Sequence, residues 1–161
     1  MNILLGVYAC EPNKGSEPEV GWKMVNEIAK AMPNDTIFAV TKTNNRESIE
    51  SINYPKNIKF IYYELPKWLA FWKKGSRGIR TYYYFWMIGA TLLIKRKNIS
   101  FGIIHHITFV NDWLPSFFSL LKNKNNKFIW GPIGSNDPID QIFLTGIKQS
   151  TIEKIKITLR F

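Results

Sequence analysis

The strongest constraint on the fold is an alternation along the chain, in which short apolar runs of strand length are separated by segments with helical spacing. Asn2 to Ala9 is apolar and gives way to Cys10-Glu11-Pro12-Asn13-Lys14-Gly15, the pattern of a buried strand running into a loop. Ser16-Glu17-Pro18-Glu19 then has the form of a capping box, with Ser at the N-cap, Glu three residues on, and Pro in the first turn where its missing N–H costs nothing. Val20, Met24, Ile28 and Met32 recur at helical spacing before Pro33-Asn34, which predicts a helix over about 17–32 with that stripe buried. The same alternation predicts strands over Thr36–Thr41, Ile58–Glu64, Ser100–His106 and Lys127–Trp130, and helices over Asn45–Ile52, Arg77–Lys97 and Ser150–Phe161. Strands separated by helices pair in parallel through right-handed crossovers, so the expected fold is α/β: an open, mostly parallel, Rossmann-like sheet with helices on both faces. No closing strand or cap follows the last helix, so the chain reads as cut short.

Ligands of such sheets bind outside the carboxyl ends of the strands, so ACEPNKGSE, TKTNNR, HHITFVND and GPIGSND are expected on one rim. Gly15 and Ser16 stand where a strand passes into a helix whose free N–H groups suit a phosphate or a carboxylate; an ordinary tight turn has the same residues. The loop has neither GxGxxG nor the Lys-Ser/Thr ending of a P-loop, which argues against nicotinamide binding and NTP hydrolysis by those routes. His105 and His106 are the only histidines and close an apolar strand. Neighbours on a strand face opposite sides, so one imidazole serves the core while the other is free to position a substrate or move a proton, unless both are structural. Two histidines without nearby Cys or carboxylates argue against a metal site. Thr108, Asn111 and Asp112 add polar groups to the same loop.

Composition narrows the partners. Lys and Arg number 22 against 12 Asp and Glu, a net charge of +10, which favours anionic partners. A single cysteine, Cys10, allows no internal disulfide and suits a reducing compartment. The N-terminus lacks the basic segment of a signal peptide, and the uncharged stretch from Thr81 to Ile94 is shorter than the roughly 20 residues of a membrane span. No acidic residue lies between Glu64 and Asp112, whereas Lys67, Lys73, Lys74, Arg77, Arg80, Lys95, Arg96 and Lys97 are basic. Trp68, Phe71, Trp72 and Tyr82 to Trp86 are interleaved with them. Aromatic residues beside cations suit the interface of an anionic membrane, and also single-stranded nucleic acid. Tyr83, Trp86, Ile88 and Leu92 also read as the core face of the long helix.

The segments ACEPNKGSEPEVGW, NRESIE, KWLAFWKKGSRGIRTYYYFW, HHITFVNDWLPS and WGPIGSND, in this order, resemble the N-terminal domain of retaining glycosyltransferases of family 4. The resemblance implies a GT-B enzyme, two Rossmann-like domains facing across a cleft, with this half holding the acceptor and the other the nucleotide-sugar. It implies that Gly15, Ser16 and Glu17 form the glycine loop of the cleft, and that His105 or His106 is the cleft histidine. Arg46 in NRESIE, Thr108, Asn111 and Asp112, and Gly134 and Ser135 in the loop after Gly131-Pro132 would complete the substrate contacts. Trp68, Trp72, Lys73, Lys74 and Arg77 would meet an anionic membrane. Residues 1–161 are then expected to be one acceptor-side domain without its nucleotide-sugar half, inactive alone, cytoplasmic and peripheral to the inner face of the plasma membrane. The complete enzyme would move a sugar from an NDP-sugar to a lipid-linked or saccharide acceptor in bacterial surface-polysaccharide synthesis, with no metal, no further cofactor and no nucleic acid. The rival expectation is a non-catalytic basic and aromatic module that binds anionic membrane or nucleic acid.

Overall fold

Five strands, β1 (Asn2–Gly6), β2 (Thr36–Lys42), β3 (Ile58–Tyr63), β4 (Ile103–His106) and β5 (Lys127–Trp130), pair entirely in parallel in the order β3-β2-β1-β4-β5. The computed structural model describes residues 1–73, 78–110 and 115–133. These elements belong to the unit formed by Met1–Val110 and Ser116–Pro132. Asn111–Pro115 and Ile133–Phe161 make a second unit which, apart from Pro115 and Ile133, lies outside the described residues, as does the helix expected over Ser150–Phe161.

Helices α1 (Ser16–Ala31), α2 (Arg46–Glu50) and α3 (Ile79–Arg96) cover both faces of the sheet. Period-two alternation sorts the strand residues. Ile3, Leu5, Ile37 and Ala39 pack with Val25 and Ala29 of α1 and Ile49 of α2. Leu4, Phe38, Val40 and Ile104 pack with Tyr83, Trp86, Met87 and Ala90 of α3 and with Phe118 from the 3-10 turn Phe117–Leu121. Each fully buried large side chain of this set contributes roughly 1.5–3 kcal/mol of transfer free energy. The α/β class, the parallel sheet and the helices on both faces are those expected.

Three local readings are corrected. The capping box does not form: Gly15 is the N-cap at φ 67, Ser16 is the first helical residue at φ 50, and no side chain caps the helix. The loop uses the carboxylates instead, since Glu19 Oε2 accepts the Asn13 N–H at 2.6 Å and Glu17 reaches another loop. The buried face of α1 is Gly21, Val25, Asn26 and Ala29, and Val20 is 49% exposed. Gly21 faces inward because the helix lies so close to the loop after β1 that a Cβ there would stand 2.1 Å from the Ala9 carbonyl oxygen. On α3, Tyr83 and Trp86 are buried but Leu92 is 52% exposed, because the inward arc falls on Tyr82, Met87, Ala90, Thr91 and Ile94.

Candidate functional site

The strand order reverses between β1 and β4, and the carboxyl ends of strands at such a reversal are where open α/β sheets hold their ligands. The backbone ladder runs on past the strands into this rim: Val7 N–H donates to Val40, Ile107 N–H to Gly6 and Gly131 N–H to His106. Beyond it, side chains bind the loops together. The Ala9 N–H donates to Thr108 Oγ1 at 3.1 Å, and Glu17 Oε1 accepts the Phe109 N–H. Phe109 holds a left-handed φ of 60, and its ring packs on Tyr8 and Tyr83 with centroids 4.8 and 5.1 Å away. The β2 rim joins through the Tyr8 carbonyl, which accepts from Thr41 Oγ1 at 3.3 Å and Asn45 Nδ2 at 3.2 Å.

The two histidines point to opposite faces, as strand alternation requires. His106 is 2% exposed on the α3 face. Its Nε2 lies 3.0 Å from the Thr108 carbonyl and 2.5 Å from the Tyr83 hydroxyl. A carbonyl only accepts, so Nε2 carries the proton, and the Tyr83 hydroxyl is left to donate to Met87 Sδ at 3.6 Å. Nδ1 is then an acceptor, buried and without a hydrogen-bond partner. Burial lowers the imidazole pKa to about 4, against the Thr108 carbonyl, which favours the proton. His105 is half-buried on the α1 face and its Nε2–H donates to the Gly131 carbonyl at 2.8 Å. Burial lowers its pKa also, opposed by that hydrogen bond.

The expected residues are therefore gathered unequally. Gly15, Ser16, Glu17, His105, His106 and Thr108 lie at the β1 and β4 ends of one rim. Arg46 begins α2 after β2, its guanidinium 4.5 Å from the Tyr62 ring centroid and its Nε 3.6 Å from Glu50 Oε1. Asn111, Asp112, Gly134, Ser135, Lys74 and Arg77 lie outside the described residues. Trp68 and Trp72 stand after β3, and Lys73 Nζ lies 4.5 Å from the Tyr82 ring centroid. Cys10 is fully buried, its thiol pushed up to about 12 by burial and then by Glu11, and is no nucleophile.

Sequence reasoning placed Lys42 on the rim only as part of TKTNNR and missed Glu64. Lys42 ends β2 with its amine 4.9 Å from the Tyr8 ring centroid, and burial lowers its pKa. Glu64 follows β3. Burial raises its pKa, against the attraction of Lys42 and Lys73, and its Oε2 is buried without a hydrogen-bond partner. The strand period held a signal for Lys42, since Phe38, Val40 and Lys42 share one face. Nothing local marks Glu64.

No protein-family model, no curated protein and no solved structure matches this chain. Among the described residues no helix is long and apolar enough to cross a membrane.

Proposed function

We propose that this chain is the acceptor-side half of a retaining glycosyltransferase of the two-domain GT-B type. The observation that carries the reading is the joining of the glycine loop after β1 to the loop after β4 at the strand-order reversal, through Glu17 to Phe109 and Ala9 to Thr108. A sugar acceptor held there would meet the backbone of residues 15–17, the Thr108 loop and the half-buried imidazole of His105. A neutral imidazole with Nε2–H committed to Gly131 offers Nδ1 as an acceptor for a sugar hydroxyl. His106, with Nε2 committed and 2% exposure, is assigned to holding the strand end. The NDP-sugar would be supplied by a second domain, the acceptor would be lipid-linked or a saccharide, and the enzyme would act at the cytoplasmic membrane surface in surface-polysaccharide synthesis.

Calorimetry with UDP- and GDP-sugars, together with a turnover assay, tests this reading. The isolated chain is expected to bind nucleotide-sugars only weakly and to turn none over, because catalysis requires groups from both halves held in register. Micromolar nucleotide-sugar binding, or turnover, by this chain alone would overturn it. A second reading, a non-catalytic surface-binding module, is favoured by the exposed Trp68 and Phe71, and requires no ligand at the loops.

A further inference from the structure

The segment between β3 and α3 has a braced base and an exposed tip. Leu65 is buried, and Leu69, Ala70 and Trp72 pack against the core cluster on the α3 face. Trp72 also meets Phe85 edge-on at 6.5 Å, and Lys73 sits over Tyr82. From this base the segment containing the 3-10 turn Lys67–Leu69 presents Trp68 at 72% and Phe71 at 79% exposure, the two most exposed large apolar side chains among the described residues. Both tips are three residues apart on a segment already anchored to the core, so hydrophobic collapse has spared them while burying their neighbours. A solvent-facing aromatic pair of this kind marks a binding surface.

Its surroundings identify the partner. Lys67 stands exposed beside Trp68, Arg80 is exposed in the first turn of α3, and no acidic residue occurs from 65 to 111. Lys95, Arg96 and Lys97 belong to the far end of α3, roughly 27 Å along an 18-residue helix at 1.5 Å per residue, and are not part of this patch. We propose that this turn docks on an anionic lipid bilayer, with Trp68 and Phe71 entering the headgroup boundary and Lys67 and Arg80 meeting lipid phosphates. Trp72 acts as the brace and is not an insertion residue, which revises the contact set expected from the sequence. The turn follows the carboxyl end of β3, so docking would bring the carboxyl-end rim of the sheet, where Gly15 and His105 also lie, to the bilayer side.

Co-sedimentation of the full chain with phosphatidylcholine vesicles, with and without phosphatidylglycerol, tests the proposal. Binding is expected to be about tenfold or more stronger with the anionic lipid and to weaken as salt rises. A Trp68→Ser, Phe71→Ser variant is expected to lose about tenfold or more of this binding, and Lys67→Glu, Arg80→Glu to lose the preference for anionic lipid. Leu120→Ser, which removes an apolar residue 68% exposed on another element, is expected to bind as the parent chain does. Absence of vesicle binding, equal binding by the aromatic variant, or a loss on Leu120→Ser as large would overturn the proposal. So would tight, salt-sensitive binding to single-stranded oligonucleotides without lipid binding. The assay contains no sugar donor or acceptor, so its outcome is separate from that of the transferase reading.

Discussion

Glu17 and Phe109 are 92 positions apart, and the carboxylate of the first accepts the backbone N–H of the second across the reversal in strand order. The bond joins the two loops that leave β1 and β4, and it spends on a neighbouring loop a carboxylate at the helix start. Hydrogen bonds to charged groups contribute roughly 1.5–3 kcal/mol. Glu17→Ala is therefore expected to lower the unfolding free energy by about that amount in urea titration, and Glu17→Gln by less, since the amide oxygen still accepts. Equal stability of parent and Glu17→Ala would mean that the loops are held by packing alone.

His106 makes stability pH-dependent. The unfolded imidazole titrates near 6.5 and the folded one near 4, so between these values the unfolded chain binds more protons and stability rises with pH. The contribution is complete above about pH 6.5 and is lost as pH falls toward 4, with a size on the order of 3 kcal/mol. His105, lowered in the same direction, adds to it. Urea midpoints at pH 7.5 and 4.5 are expected to diverge in the parent chain and to diverge less in His106→Leu. An unchanged divergence in the variant would contradict the burial of a neutral imidazole.

In a complete two-domain enzyme, the roles assigned to the histidines separate kinetically. His105→Ala is expected to lower kcat by on the order of 100-fold with the fold intact, as for a positioned polar group. His106→Ala is expected to act chiefly on stability. Near-parent kcat in His105→Ala would make that strand end wholly structural.

Gly21 tests how closely α1 approaches the rim. A Cβ there would stand 2.1 Å from the Ala9 oxygen and 3.0 Å from Thr108 Cγ2, so Gly21→Ala must move backbone that carries the Ala9 to Thr108 bond. The expected cost is about 1–3 kcal/mol by thermal or urea unfolding. Gly15→Ala has open space within 4 Å and pays only for its φ of +67, roughly 1–2 kcal/mol. If Gly21→Ala is as stable as the parent chain, the helix does not press on the Ala9 and Thr108 loops.

The sheet was legible because parallel strands buried on both faces leave continuous apolar runs: Lys127–Trp130 has the bounds the sequence predicts and Thr36–Lys42 differs by one residue. Where an apolar run marks burial without pairing, the reading overran. Val7 to Cys10 are all buried yet lie beyond β1, because here the chain dives under α1 and α3 as a loop. Strand alternation sent His105 and His106 to opposite faces, but only tertiary packing reveals that Tyr83 and Thr108 enclose His106. Glu17 was placed on the rim as the end of ACEPNKGSE and in the cleft by resemblance, but its bond to Phe109 depends on a contact no local pattern encodes. The 3-10 turn Phe117–Leu121, an apolar run too short for a helix, went unread although Phe118 is buried against the sheet.

The claim that this chain is an acceptor-side half is tested most directly by amide NMR titration with acceptor-type saccharides. The account predicts that saccharide shifts the amides of Gly15, Ser16, Glu17, Thr108 and Phe109 together, while UDP- and GDP-sugars shift them only weakly. Saccharide that leaves these amides unmoved, with single-stranded oligonucleotide binding tightly through residues 65–80, would contradict it.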